Sequence, residues 1–142
     1  MPHKLLLTYD VKGDLVRGEQ FTVSLTIKNI GDIVFGGGKI ASYRLEVERL
    51  VQTVLIDKLP KVPALLPFAS TEVTHTFNLS AEGHGWLVAV IQADDGQPVE
   101  HYQNPNFSTG GEWRNSIYIT RREDAQIISL LQRIVELLSK RP

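Results

Sequence analysis

Apolar and polar residues alternate along most of this chain. Leu5, Leu7, Tyr9 and Val11 alternate with Lys4, Thr8 and Asp10, which predicts a first strand. Lys12-Gly13-Asp14 and Arg17-Gly18-Glu19 carry turn chemistry. Phe21, Val23, Leu25 and Ile27 then face one way, and Thr22, Ser24, Thr26 and Lys28 the other. Such a strand belongs to a sheet with one wet face. Asn29-Ile30-Gly31-Asp32 ends it, and Gly36-Gly37-Gly38 predicts a flexible loop.

Lys39–Leu59 admits two readings. Tyr43, Val47, Leu50, Val51, Val54 and Leu55 would line one face of a helix, with Leu45 and Ile56 pointing the wrong way. As strands, Ala41, Tyr43, Leu45 and Val47 alternate with Ser42, Arg44, Glu46 and Glu48. The β-branched residues of the second half favour two strands. Pro60, Pro63 and Pro67 exclude a central strand between them. Val73, His75, Phe77 and Leu79 alternate with Glu72, Thr74, Thr76 and Asn78. Gly83-His84-Gly85 reads as a turn, Trp86–Ala93 as a strand apolar on both faces, and Asp95-Gly96 as a tight turn. His101–Asn115 reads as a long polar loop before a last short strand at Ile117 and Ile119.

The period changes after Asp124. Ile127, Ile128, Leu130, Leu131, Ile134, Val135, Leu137 and Leu138 fill roughly half of a helix circumference at about 100° per residue. Thr120 with Glu123 matches a capping box. The expected fold is therefore all-β: an immunoglobulin-like β-sandwich of seven to eight strands over residues 1–120, with an added C-terminal amphipathic α-helix over 121–142.

Composition narrows the function classes. The 142 residues hold 15 Lys and Arg against 16 Asp and Glu, a net charge of -1, which leaves no electrostatic footprint for nucleic acid or an anionic membrane. With no cysteine, disulfides, thiol catalysis and Cys-based metal sites are excluded. Leu5-Leu6-Leu7 is too short for a signal peptide, and no stretch nears the roughly 20 apolar residues of a membrane span. The expected location is cytoplasmic as the sequence stands, or extracellular if the domain is cut from a larger exported protein.

Four segments carry a resemblance. They are Val16-Arg17-Gly18-Glu19-Gln20-Phe21-Thr22-Val23, Ile27-Lys28-Asn29-Ile30-Gly31, Pro63-Ala64-Leu65-Leu66-Pro67-Phe68-Ala69-Ser70, and Gly85-Trp86-Leu87-Val88-Ala89-Val90 with Asp94-Asp95-Gly96. Together they resemble the CARDB-type bacterial immunoglobulin-like domains, a seven-stranded sandwich group named for cell-adhesion-related proteins. The likeness spans about residues 5–120. Phe68 stands where the family usually has Gly, and Glu100–Phe107 replaces its acidic, Asn-rich stretch. The helix lies outside the pattern. The resemblance implies a prokaryotic, non-enzymatic binding or spacer module, usually within a larger surface or secreted protein.

Candidate chemistry is sparse. His75 lies on the apolar face of its strand, as a core or edge histidine or a metal ligand. Asp94, Asp95, Glu100 and His101 form the densest group of oxygen and nitrogen donors, without EF-hand spacing. No Gly-x-Ser-x-Gly elbow occurs, and Gly36-Gly37-Gly38 is not followed by Lys-Ser or Lys-Thr. No enzyme activity, cofactor or metal is therefore expected. Tyr102, Asn104, Phe107, Trp113 and Arg114 form a candidate ligand loop, since aromatic faces with amides suit a sugar ring or a peptide.

The helix offers a candidate interface through Ile127, Leu130, Leu131, Ile134, Leu137 and Leu138. It could cover its own sandwich, because Trp86–Ile91 is apolar on both sides, or pair with another chain. Its polar face carries few basic residues, which disfavours a membrane surface. The expected function is a protein–protein interaction or adhesion module whose helix docks or self-associates. The alternatives are a carbohydrate-binding module using the 101–114 segment and a protease-inhibitor-like domain. Expected partners are a protein or a second copy, or a glycan, but neither nucleic acid nor membrane.

Overall fold

The structure is a computed structural model that describes residues 2–139, and of residues 122–125 the backbone alone. Nine strands form two sheets: β1 (His3–Lys12), β2 (Phe21–Asn29), β3 (Gly38–Val47), β4 (Leu50–Thr53), β5 (Ser70–Phe77), β6 (Gly83–Ala93), β7 (Val99–Asn104), β8 (Phe107–Gly110) and β9 (Trp113–Ile119). A helix, α1, spans Arg122–Ser139. One sheet has the order β5-β2-β1-β7-β8 and the other β4-β3-β6-β9. All neighbours are antiparallel except β1 and β7, which run parallel. This is an immunoglobulin-like sandwich.

The period-two pattern fills the space between the sheets. Leu5 and Leu7 of β1, Phe21, Val23, Leu25 and Ile27 of β2, and Val73 and Phe77 of β5 point inward from one side. Ile40, Tyr43, Leu45 and Val47 of β3, Leu87, Ala89 and Ile91 of β6, and Trp113, Ile117 and Ile119 of β9 meet them from the other. A bulge between Ile40 and Ser42 shifts the register of β3, so that Ile40 rather than Ala41 joins the core with Tyr43.

Residues 39–59 form two strands, joined at Glu48, which takes φ +53°. A short 3-10 turn, Ile56–Lys58, follows. Two other segments differ from the sequence reading. The three glycines at 36–38 do not form a free loop. Gly38 exchanges both backbone hydrogen bonds with Val62, at 2.9 Å each, and Gly37 accepts one from Asp94. Gly83–Gly85 opens β6 instead of forming a turn. A Cβ on Gly85 would collide with the Glu46 carbonyl of β3, so this glycine serves close strand approach.

The long polar loop expected at 101–115 is instead the β7–β8 hairpin and the start of β9. Nine strands therefore replace the seven to eight expected. β7 does alternate, with Val99 and His101 buried and Glu100 and Tyr102 half-buried. A histidine fills one apolar position, and that hid the strand.

Asn29 joins three segments at the pole of the sandwich opposite α1. Its Nδ2 donates to the carbonyls of Ile33 and Leu65, 2.9 Å each, and its Oδ1 accepts the Gly31 N–H at 3.0 Å. Its main chain receives the Phe68 N–H at 2.6 Å and donates to Ala69 at 3.0 Å. Asn29 is buried, so water does not replace these partners if they are lost. Phe68 takes φ +70° and is 71% exposed. It pairs only loosely with the Lys28 ammonium, 6.0 Å from the ring centre.

Two outcomes follow for urea denaturation. Asn29→Asp places a carboxylate against two carbonyl oxygens and is expected to cost at least about 2 kcal/mol. Unchanged stability would show that the three segments hold without this clamp. Phe68→Gly is expected to stabilise by about 1 kcal/mol, because the left-handed conformation costs a non-glycine residue about 1–2 kcal/mol and glycine returns part as chain entropy. A loss of stability would show that the ring's contacts outweigh its strain.

Candidate functional site

The residues singled out by sequence fall on the β7–β9 segment, the β6–β7 turn, His75 of β5, the outer face of the β4-β3-β6-β9 sheet, and α1.

The β7–β9 segment scatters its candidates. Trp113 is fully buried in the core and packs at 6.3 Å, near edge-on, against Tyr9. It is therefore not available to grip a ligand. The apolar alternation of β9, read only from Ile117, begins four residues earlier at Trp113. The Tyr102 hydroxyl donates to Glu100 at 2.9 Å, and that bond raises its pKa. Asn104 accepts the Asn106 N–H at 2.9 Å and shapes the hairpin turn. Phe107 is exposed on β8. Arg114 lies on the far face of β9. These residues do not converge into one pocket.

The donor group at 94–101 also separates. The Asp95 carboxylate meets His3 Nε2 at 2.7 Å, while His101 lies inside the sandwich. The Gln97 backbone N–H, and after it His3, lower the pKa of Asp95. Among the described residues no group of three or more His, Asp or Glu could hold a metal ion. His75 is half-buried between aromatic rings, with Phe77 at 4.8 Å and Tyr43 at 6.3 Å. Burial, and then Lys58, lower its pKa.

His101 has a role that sequence reasoning missed. Its Nε2 accepts the Ile91 N–H at 2.9 Å, so the ring proton sits on Nδ1 and donates to the Gly110 carbonyl at 3.0 Å. β9 pairs with β6 only as far as Ala89, which leaves Ile91 without a strand partner on that side. His101 supplies one. It thereby links β7 of one sheet to β6 of the other. Burial lowers its pKa, opposed by the Gly110 bond and the charge of Glu112.

The outer face of β3, β6 and β9 is covered from within the sheet. Val88 is fully buried although it points away from the core. Arg44 of β3 and Arg114 of β9 are both in register with it. The Arg44 Nε donates to Glu46 at 2.7 Å, and its guanidinium lies 3.6 Å from Glu112. Arg114 donates to Glu46 at 3.2 Å and stacks 5.2 Å from the Trp86 ring centre. Arginine stems cover apolar surface while their heads stay wet. Val88 thus has its cover without the helix, while Trp86 on the same face stays 45% exposed.

α1 stays open. It starts at Arg122, and Thr120 is still held by the sandwich, donating to Leu15 at 2.8 Å and accepting from Arg17 at 3.0 Å. The Glu123 half of the expected capping box lies outside the described side chains. The eight apolar residues from Ile127 to Leu138 are 50–66% exposed. Every residue from 126 to 139 is exposed, so the helix covers neither sheet. Among the described residues no helix is long and apolar enough to cross a membrane.

No protein-family model matches the chain, and no curated protein does. Among solved structures it is similar to the CARDB domain of a Pyrococcus furiosus protein, seen in a crystal structure in complex with di-metal ions. The two share 20% identity over 79% of this chain and 90% of that one, with a TM-score of 0.42. The solution NMR structure of the same domain gives 19% identity over 83% and 96%, with a TM-score of 0.45. These solved structures carry the same family name as the resemblance read in the sequence.

Stability should depend on pH through His101. Its folded pKa lies below the ordinary value of about 6.5, so the unfolded chain binds the extra proton first. Stability is then full above that value and falls as pH drops below it. Thermal unfolding between pH 7.5 and 5 is expected to show this fall, with a parallel share from His75. His101→Gln, which keeps an acceptor and a donor, should flatten the profile. An unchanged slope in that variant would refute the role of His101.

Proposed function

We propose that this chain is a non-catalytic protein–protein interaction module, of the kind used in adhesion, in which the sandwich is the scaffold and α1 the contact. One observation carries the reading: eight apolar side chains of α1, from Ile127 to Leu138, are each 50–66% exposed on a single helix. Exposed apolar stretches of this size mark association surfaces. The described titratable groups support it from the other side. The two histidines inside the sandwich, His3 and His101, make contacts that join segments of the fold. The near-zero net charge fits a contact made by apolar burial rather than by long-range attraction.

A full chain carrying Ile134→Glu and Leu138→Glu tests the reading by light scattering and thermal unfolding. The native chain is expected to be assembled, and the variant monomeric with its sandwich unfolding at an unchanged temperature. A native monomer that the substitutions destabilise would place the helix on its own sandwich and overturn the reading.

A further inference from the structure

We propose that the free edge of β5 takes an extended segment of another protein as an added strand. That segment carries a lysine or arginine opposite Glu72 on the outer face and apolar, β-branched residues on the inner one. This is a second interaction surface, independent of α1.

Two open sheets have four edge strands: β5, β8, β4 and β9. Three of them are protected. β4 and β8 have four residues each, and register shifts interrupt the pairing of β8 with β7. On β9 the Ser116 carbonyl accepts the Tyr9 hydroxyl at 2.6 Å, and Thr120, just past its end, is bonded to Leu15 and Arg17. β5 differs from all three. Its eight residues keep an unbroken register with β2 and include no proline, lysine or arginine. Short strands, bulges, proline and basic residues are the means by which sheets refuse an added strand.

The direction of the backbone groups follows from Asn29. Its N–H and C=O bond Ala69 and Phe68, so they point toward β5. Strand groups alternate sides, so every second residue from Ile27 back to Phe21 does the same. Their partners run from Thr71 to Phe77 at the same step. The N–H and C=O groups of Ser70, Glu72, Thr74 and Thr76 therefore point to the open edge. Among the described residues none of these groups has a hydrogen bond. Donors and acceptors at strand spacing are matched by another extended backbone, which gives affinity, while the side chains beside them give specificity.

Charge selects the side chains. Glu72 is exposed, is the only Asp, Glu, Lys or Arg of β5, and joins no ion pair among the described residues. An opposite charge directly across a strand pair stabilises it, and a like charge does the reverse. On the inner side His75 is half-buried against Phe77 and Tyr43, and Lys58 is close enough to act on its proton. An apolar residue suits that position and a basic one does not.

Fluorescence anisotropy with a labelled synthetic peptide, Thr-Val-Thr-Val-Arg-Val-Thr-Val, tests the proposal. The native chain and the chain carrying Ile134→Glu and Leu138→Glu are expected to bind it saturably and equally. Hydrogen exchange at the amides of Glu72, Thr74 and Thr76 should slow on binding. Thr74→Pro removes an edge N–H and keeps the β2 side of the ladder. It should weaken binding about tenfold, with tryptophan fluorescence showing Trp113 still buried. Glu72→Lys should weaken binding about two- to fivefold and strengthen it as much for a peptide with Glu in place of Arg. No saturable binding, or indifference to Thr74→Pro, would overturn the proposal. Indifference to the charge exchange would overturn the stated partner. Binding lost in the α1-substituted chain would put the peptide on the helix and overturn the site, leaving the reading of α1 intact.

Discussion

With no cysteine in the chain and no metal-ligand cluster among the described residues, the two sheets are held chiefly by contact between their inner faces. Every strand must therefore deliver its apolar residues to one side. β2 shows this in its simplest form, with Phe21, Val23, Leu25 and Ile27 all buried. Where a strand cannot continue the ladder, a polar group takes over. His101 satisfies Ile91 and ties the sheets together at the point where β9 ends. Asn29 does the same for the crossing segments at one pole. Both are buried polar residues whose hydrogen bonds are all local to the join they make.

This economy shapes the surface. The β3-β6-β9 face needs a cover over Val88, and two arginines provide it from the neighbouring strands. Their charges are balanced by Glu46 and Glu112, and Trp86 lies beneath one guanidinium. Val88 is thus covered by side chains of its own sheet. α1 is then left with its apolar stripe in water, and that stripe is the feature the proposed function has to account for.

Much of this was legible in the period of the sequence. β1, β2 and β5 follow from alternation, most of β6 from its apolar run, and α1 from the change of period after Asp124. What escaped did so for definite physical reasons. β7 uses a histidine where alternation demands an apolar residue, and β8 is a short edge strand with little to bury. Trp113 looked like a ligand-binding aromatic because it stands among polar residues, yet it is the largest fully buried side chain. Phe68 stood out in the sequence only as a departure from a glycine. Its φ of +70° gives that departure a conformational meaning.

By itself the sequence determined the class of fold and the amphipathic helix, because periods of two and 3.6 are local properties of the chain. It also determined the absence of covalent staples. The tertiary structure decided which polar residues turn inward and what covers the outer sheet face, because those depend on residues far apart in sequence meeting across strands. Arg44 and Arg114 lie 70 positions apart and flank the same valine. No local pattern records that meeting.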